Sequence, residues 1–228
     1  MPLMRFAMAA LVVLFVPGSS FAQQPQQGQQ QGQGRGAQGQ PQQPDPVDPD
    51  VDAYVSRVDF FSINVPCKFT TRDITWVSEY ANKVPGRIYS CTKGPESYTM
   101  TVINYTDVEA IHKARTDTTA ADQPDTYWRI DVHASIDFAA TKLRQKAAKV
   151  TFDAWHYIDL IPGHQLQFTN TDGTRTFAGI YLHKYRLYIM EATVPANYPP
   201  PGLFQQSLSM LDDMGNRVRY RTIYQHPW

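Results

Sequence analysis

From Phe61 to Val194 the chain is a succession of short segments in which apolar residues recur at every second position. Each segment ends at proline, glycine or a polar cluster, and one long stretch at helical spacing interrupts the series. That pattern restricts the fold more than any other property of the sequence. Short period-two segments joined by tight turns pair as neighbours in antiparallel ladders, because a parallel pair needs a crossover of about a dozen residues or more. A sheet made this way has two faces, and the helical stretch must bury its apolar stripe against one of them.

The segments can be placed individually. Phe61, Ile63 and Val65 alternate with Ser62 and Asn64 until Pro66 ends the run. Strands are expected over 74–81 and 87–92, separated by Asn82-Lys83-Val84-Pro85-Gly86, and then over 97–105. Lys93-Gly94-Pro95-Glu96 reads as the turn between the last two. A short helix over 108–115 with Asp107 as its cap and a polar loop over 116–126 follow. From Trp128 to Ala148, Val132, Ile136, Ala139, Ala140, Leu143 and Ala147 form one helical stripe. Strands resume over 150–161, with Pro162-Gly163 as the stop, and over 165–170 and 175–182 around the hairpin signal Thr171-Asp172-Gly173-Thr174. A strand over 185–194, a helix from Leu203 to Met214 opened by Pro199-Pro200-Pro201-Gly202 and stopped by Gly215, and a final strand over 217–223 complete the order. The expectation is an α+β fold: a mainly antiparallel sheet covered by helices.

Two segments precede this domain. Residues 1–22 read as a secretory signal peptide, with Arg5, an uninterrupted apolar run from Phe6 to Val16, the breakers Pro17 and Gly18, and Ser20-Phe21-Ala22 at the cleavage point. The run is too short to span a bilayer, and no segment of the mature chain is long and apolar enough to do so. Residues 23–50 hold 12 Gln, 5 Gly and 5 Pro, with Ala37 and Val47 as the only apolar side chains. A segment of that composition cannot bury enough surface to offset its ordering entropy, so it is expected to be a disordered spacer. Residues 51–228 are expected to form one domain. A periplasmic or secreted destination follows from the leader.

Short stretches carry a resemblance. Phe61-Ser62-Ile63-Asn64-Val65-Pro66, then Tyr89-Ser90-Cys91, then Tyr98-Thr99-Met100-Thr101-Val102 are similar to the opening of PsbP-like domains. Arg186 to Ala192, followed by Leu203-Phe204-Gln205-Gln206-Ser207-Leu208, resembles a group of uncharacterised exported bacterial proteins. The resemblance implies an antiparallel sheet sandwiched by helices (an α/β/α sandwich) and a binding or accessory role. It carries no ligand residue over to this chain.

Charge and motifs exclude several activities. With 21 Lys+Arg against 21 Asp+Glu the formal charge is zero, which argues against a nucleic-acid binder driven by phosphate neutralisation. The six histidines have no metal-ligating spacing, so no metal is expected, and no glycine-rich phosphate loop implies a nucleotide cofactor. No G-x-S-x-G or S-x-x-K supplies a serine nucleophile. His133 and Asp137 stand one helical turn apart, as an ordinary surface pair would.

Three sets of residues remain as candidates. Cys67 and Cys91 are the only thiols and are bound for an oxidising compartment. They read as a structural disulfide, worth up to about 3.5 kcal/mol in the chain-entropy picture, with two separate buried thiols as the alternative. Glu191 shares a strand face with Leu187 and Ile189; buried there, it serves either as a binding or catalytic acid or in a structural ion pair with one of the arginines. Arg217, Arg219 and Arg221 alternate along the expected last strand, where they hold an anionic ligand or partner surface, or form a solvated edge. The sequence thus points to an exported, non-enzymatic binding or accessory domain of the bacterial cell envelope, taking an envelope protein or a small ligand. The rival is a small periplasmic hydrolase using a buried acid such as Glu191. The sequence is silent on oligomeric state.

Overall fold

The computed structural model describes residues 52–117 and 126–225. The expected leader and spacer, and most of the loop over 116–126, lie outside the described residues. In chain order the elements are β1 (Asp52–Ser56), β2 (Phe61–Val65), β3 (Thr70–Val77), β4 (Lys83–Lys93), β5 (Glu96–Asn104), α1 (Val108–Lys113) and α2 (Tyr127–Lys146). Then come β6 (Lys149–Ile158), β7 (Ile161–Thr169), β8 (Arg175–His183), β9 (Arg186–Val194), α3 (Gly202–Ser207) and β10 (Ser209–Met210).

Seven strands form one antiparallel sheet in the order β3-β4-β5-β9-β8-β7-β6. Strand alternation divides the core into two layers. On one face α2 lays Val132, Ile136, Ala139, Ala140 and Leu143 over Ile103, Leu166, Ile180, Leu187 and Ile189. On the other face Phe61, Ile63 and Val65 of β2, with Phe204, Leu208 and Met210, cover Tyr98, Met100, Tyr181, Tyr188 and Met190. Helices therefore lie on both faces of a mainly antiparallel sheet, as the order of elements implies. β8 and β9 are central, so their runs are apolar on both faces rather than cleanly alternating.

Several boundaries differ from the sequence reading. β2 leaves the large sheet and builds a three-stranded sheet with β1 and β10 beside α3. The helix expected from Leu203 to Met214 ends at Ser207 because β2 still has a free edge. Ser207 Oγ accepts the Asn64 N–H at 2.8 Å, and Met210 then pairs with Phe61. The expected strand over 217–223 is irregular chain, whose only ladder pairing among the described residues is an isolated bridge between Leu211 and Arg217, with the Val218 N–H donating to the Met210 carbonyl at 2.8 Å beside it.

Pro162-Gly163 does not close a strand but lies inside β7, and Pro85-Gly86 lies inside β4. Both prolines stand where their strand is paired on one side only: the β7–β8 ladder begins at Gly163 and the β4–β5 ladder at Gly86. There a missing N–H costs no ladder bond on the open side. The turn before β7 is Asp159-Leu160, both left-handed with φ 49° and 66°, the geometry that a two-residue hairpin demands.

The strand expected over 74–81 stops at Val77. Residues 78–82 form a turn that α2 grips from below: Asp131, fully buried, accepts from Ser78 Oγ at 2.5 Å, Asn82 Nδ2 at 2.8 Å and the Tyr80 N–H at 3.4 Å. Asn82 Oδ1 in turn meets His112 Nδ1 of α1 at 3.2 Å. A buried carboxylate is tolerable only with such partners, so this network fixes the β3–β4 turn to both helices. Near the other end of β4, Cys67 and Cys91 are bonded, with their Cα atoms 5.9 Å apart. The bridge ties the segment after β2 to the large sheet.

Candidate functional site

At the β6 edge of the sheet, on the face shared with α3, the side chains stop filling space and leave a cleft of about 450 Å³. Its floor comes from the two strands: His156 and Ile158 from β6, Gln165 and Gln167 from β7. Each pair sits two residues apart, so both members point to the same face. The facing wall is Gln205, Gln206 and Leu208, from α3 and the residue after it, and Arg217 closes one side.

Gly163 makes the floor possible. A β-carbon there would stand 2.2 Å from Tyr181 Cδ1 and 2.3 Å from the Ile180 carbonyl oxygen. The space a side chain would need is taken by the Tyr181 ring, which is fully buried. Tyr181 then reaches across β7 to place its hydroxyl 2.9 Å from His156 Nδ1. Burial pushes the phenol well above its ordinary value, with Gln165 drawing it partly back, so it stays protonated and can donate. Burial also lowers the His156 pKa, favouring a neutral ring whose proton sits on Nε2 when Tyr181 donates to Nδ1.

The charges of the cleft are tied to one another. Arg217 grips the Asp159 carboxylate with both prongs, Nε to Oδ2 at 2.8 Å and Nη2 to Oδ1 at 3.1 Å. Asp159 belongs to the left-handed turn before β7, and its carbonyl oxygen accepts the Tyr220 N–H at 3.3 Å, so its side chain and backbone both help dock the C-terminal segment. Arg219 stands behind at 3.8 Å from the same carboxylate with its side chain 69% exposed. Arg221 is exposed, and its backbone N–H donates to Gln225 Oε1. The three arginines thus do not share the face of a strand. Asp159, which alternation along 217–223 could not reveal, gathers two of them.

Glu191 lies elsewhere. It stands between Thr99 and Ala178 on the face of the sheet that α2 covers, in line with Leu187 and Ile189. Burial raises its pKa, and Lys146 in the last turn of α2 pulls it back. The cation acting on it is a lysine rather than an arginine. The cleft and Glu191 are on opposite sides of the sheet.

Two further polar clusters hold the fold. On the helix-covered side, Asp153 takes Arg144 Nε at 2.7 Å and Nη2 at 3.0 Å and also bonds His164 Nε2. Arg144, followed by His164, lowers the Asp153 pKa to about 2. On the other side Asp59 accepts from Arg87 at 3.0 Å and from the Tyr89 hydroxyl, while Tyr188 donates to its carbonyl at 2.9 Å. Burial and this carboxylate hold the Tyr89 pKa up at about 12. Among the described residues no group of three or more His, Cys, Asp or Glu could hold a metal ion. No helix among them is long and apolar enough to cross a membrane.

Sequence reading missed the carboxamides of the cleft. Gln165 and Gln167 alternate with buried Leu166 and Phe168, which marks the polar side of a strand but not whether it meets solvent or a cleft. Gln205 and Gln206 sit in α3 with no spacing that signals binding.

No protein-family model matches the chain, and a search of curated proteins finds no match to it. Among solved structures it is similar to the solution structure of cyanobacterial PsbP (CyanoP) from Synechocystis sp. PCC 6803, with a TM-score of 0.41 and 11% identity over 71% of this chain and 92% of that one.

Proposed function

We propose that this chain is an exported binding or accessory domain of the bacterial cell envelope, which holds a small ligand in the cleft between β6, β7 and α3 and performs no chemistry on it. The observation that carries the reading is the cleft itself. Polar side chains from β6, β7, α3 and the C-terminal segment converge on it, while its one histidine is held neutral and its one carboxylate is occupied by Arg217. A concave site on which polar groups converge is the place to look for ligand binding, and a lining this polar suits a polar ligand. The leader-like residues 1–22 and the bonded Cys67 and Cys91 support an oxidising destination. Residues 23–50 act in this reading as a spacer between the domain and whatever it serves.

The hydrolase reading draws on the raised pKa of Glu191. Its support is weaker, because Glu191 is on the face of the sheet away from the cleft and its strand neighbours are Thr99 and Ala178. Native mass spectrometry of the full chain, gently isolated from its own envelope, tests the proposal. A small additional mass, lost in a Gln167→Leu/Gln206→Leu variant, is expected. A protein-sized additional mass that survives those substitutions overturns small-ligand binding in the cleft.

A further inference from the structure

Resting on that reading, we propose that the cleft recognises an uncharged, polyhydroxylated ligand the size of one or two sugar rings. Three features select this class.

The first is charge. Arg217 and Asp159 neutralise each other through two hydrogen bonds, and the second arginine at that carboxylate, Arg219, is largely in solvent. An anion entering the cleft meets an arginine whose charge is already paired and reaches only the N–H groups that Asp159 leaves open, and a cation meets the same guanidinium in its path.

The second is the type of hydrogen bond on offer. Gln167, Gln205 and Gln206 line the cleft without a side-chain hydrogen bond to any described residue. Each carboxamide presents two N–H donors and one oxygen acceptor. Mixed donors and acceptors fit hydroxyl groups, which also do both; a carboxylate or phosphate only accepts, and an ammonium only donates. Gln167 and Gln205 are half-buried, so they have lost part of their hydration without regaining a partner. A ligand hydroxyl recovers that loss. His156 Nε2–H adds a donor whose direction is set by Tyr181.

The third is shape. The volume of about 450 Å³ lies within the range of small-molecule sites. The polar groups converge from opposite walls, which suits a compact ring rather than an extended chain. Ile158 and Leu208 border the cleft with little exposed surface, so its lining is mainly polar and a ligand there is held chiefly by hydrogen bonds.

The test is NMR titration of the isotope-labelled full chain, following the His156 ring and the glutamine side-chain amides. Glucose, N-acetylglucosamine and maltose serve as neutral probes, glucuronic acid and glucose 6-phosphate as charged counterparts, and triglycine as an extended neutral chain. A neutral sugar should shift the signals of Gln167, Gln206 and His156, and should outbind its charged counterpart. Gln167→Leu and Gln206→Leu should each weaken that binding by about three- to tenfold. Both positions carry part- or fully exposed side chains, so the variants keep their fold, which unchanged backbone spectra verify. Tighter binding of glucuronic acid, glucose 6-phosphate or triglycine at the same amides overturns the ligand class while leaving the cleft a binding site. Unmoved cleft signals with every probe, together with a bare mass for the isolated protein, overturn the underlying binding reading as well.

Discussion

Replacing Gly163 by alanine adds one methyl group at the point where the cleft floor meets the core. The added carbon would stand 2.3 Å from the Ile180 carbonyl oxygen, which belongs to the neighbouring strand and cannot rotate away. It would also stand 2.2 Å from Cδ1 and 2.6 Å from Cε1 of a tyrosine ring with no exposed surface. Ordinary carbon contacts lie near about 3.5–4.0 Å, so more than an ångström must be recovered. Either β7 moves away from β8 and loses ladder bonds, or the Tyr181 ring leaves its place. Overpacking of this kind costs about 1–3 kcal/mol, and a clash with backbone puts Gly163→Ala at about 3 kcal/mol. For a domain of this size that is about 6–12 °C in Tm.

Gly179 supplies the internal control. A β-carbon there meets Met190 Cγ and Sδ at 3.1 Å and Tyr181 Cε2 at 3.0 Å. A flexible methionine yields, so Gly179→Ala should cost no more than about 1 kcal/mol. Calorimetry on both variants measures the contrast, and an NMR titration of His156 measures the coupling to the site. If displacement of the Tyr181 ring lets water reach His156, relief of its burial should raise the His156 pKa toward its ordinary value. Equal Tm losses in the two variants would refute the packing argument; an unchanged His156 titration in Gly163→Ala would assign the strain to β7 rather than to the Tyr181 ring.

Asp131→Ala leaves the Ser78 hydroxyl, the Asn82 amide and the Tyr80 N–H without their buried acceptor, so denaturant unfolding should show a loss of about 3–5 kcal/mol; a loss below about 1 kcal/mol contradicts the network. Arg144→Met should release Asp153, whose pKa is held at about 2 against an ordinary 3.8. A depressed carboxyl pKa stabilises the fold above the unfolded value and loses that contribution as pH falls through the folded one. The stability gap between the two proteins should therefore close between about pH 4 and pH 2, and a gap constant across that window counts against the ion pair. Non-reducing peptide mapping should recover Cys67 joined to Cys91, and reduction should cost up to about 3.5 kcal/mol, whereas two freely alkylated thiols in the exported protein would exclude the bridge.

Much of the sheet was legible because local alternation reports burial. Phe61, Ile63 and Val65 gave β2 to the residue, and the Val132-to-Leu143 stripe lies in α2, packed as expected. Elements failed to follow local pattern where a distant partner intervened. The chain after Ser207 has good helical spacing, yet β2 needed a neighbour and drew Ser209 and Met210 into a strand. Arginines at 217, 219 and 221 alternate like a strand, yet Asp159, in a turn far away in sequence, holds the first and attracts the second. Glu191 was correctly placed with Leu187 and Ile189, but which face carried the cleft depended on where α3 landed.

By itself the sequence determined the number and kind of most elements, the antiparallel class and the helical stripe, because each is a matter of residues within a few positions of one another. The site was decided by tertiary structure alone. His156 and Gln205 come together only because β6 takes the edge of the sheet while α3 folds over the same face. The neutrality of the cleft arises in the same way, from a turn residue and an arginine that meet across 58 positions of chain. Local alternation and turns set the register of adjacent strands, but which strand takes the sheet edge and where α3 packs are decided by contacts between distant segments.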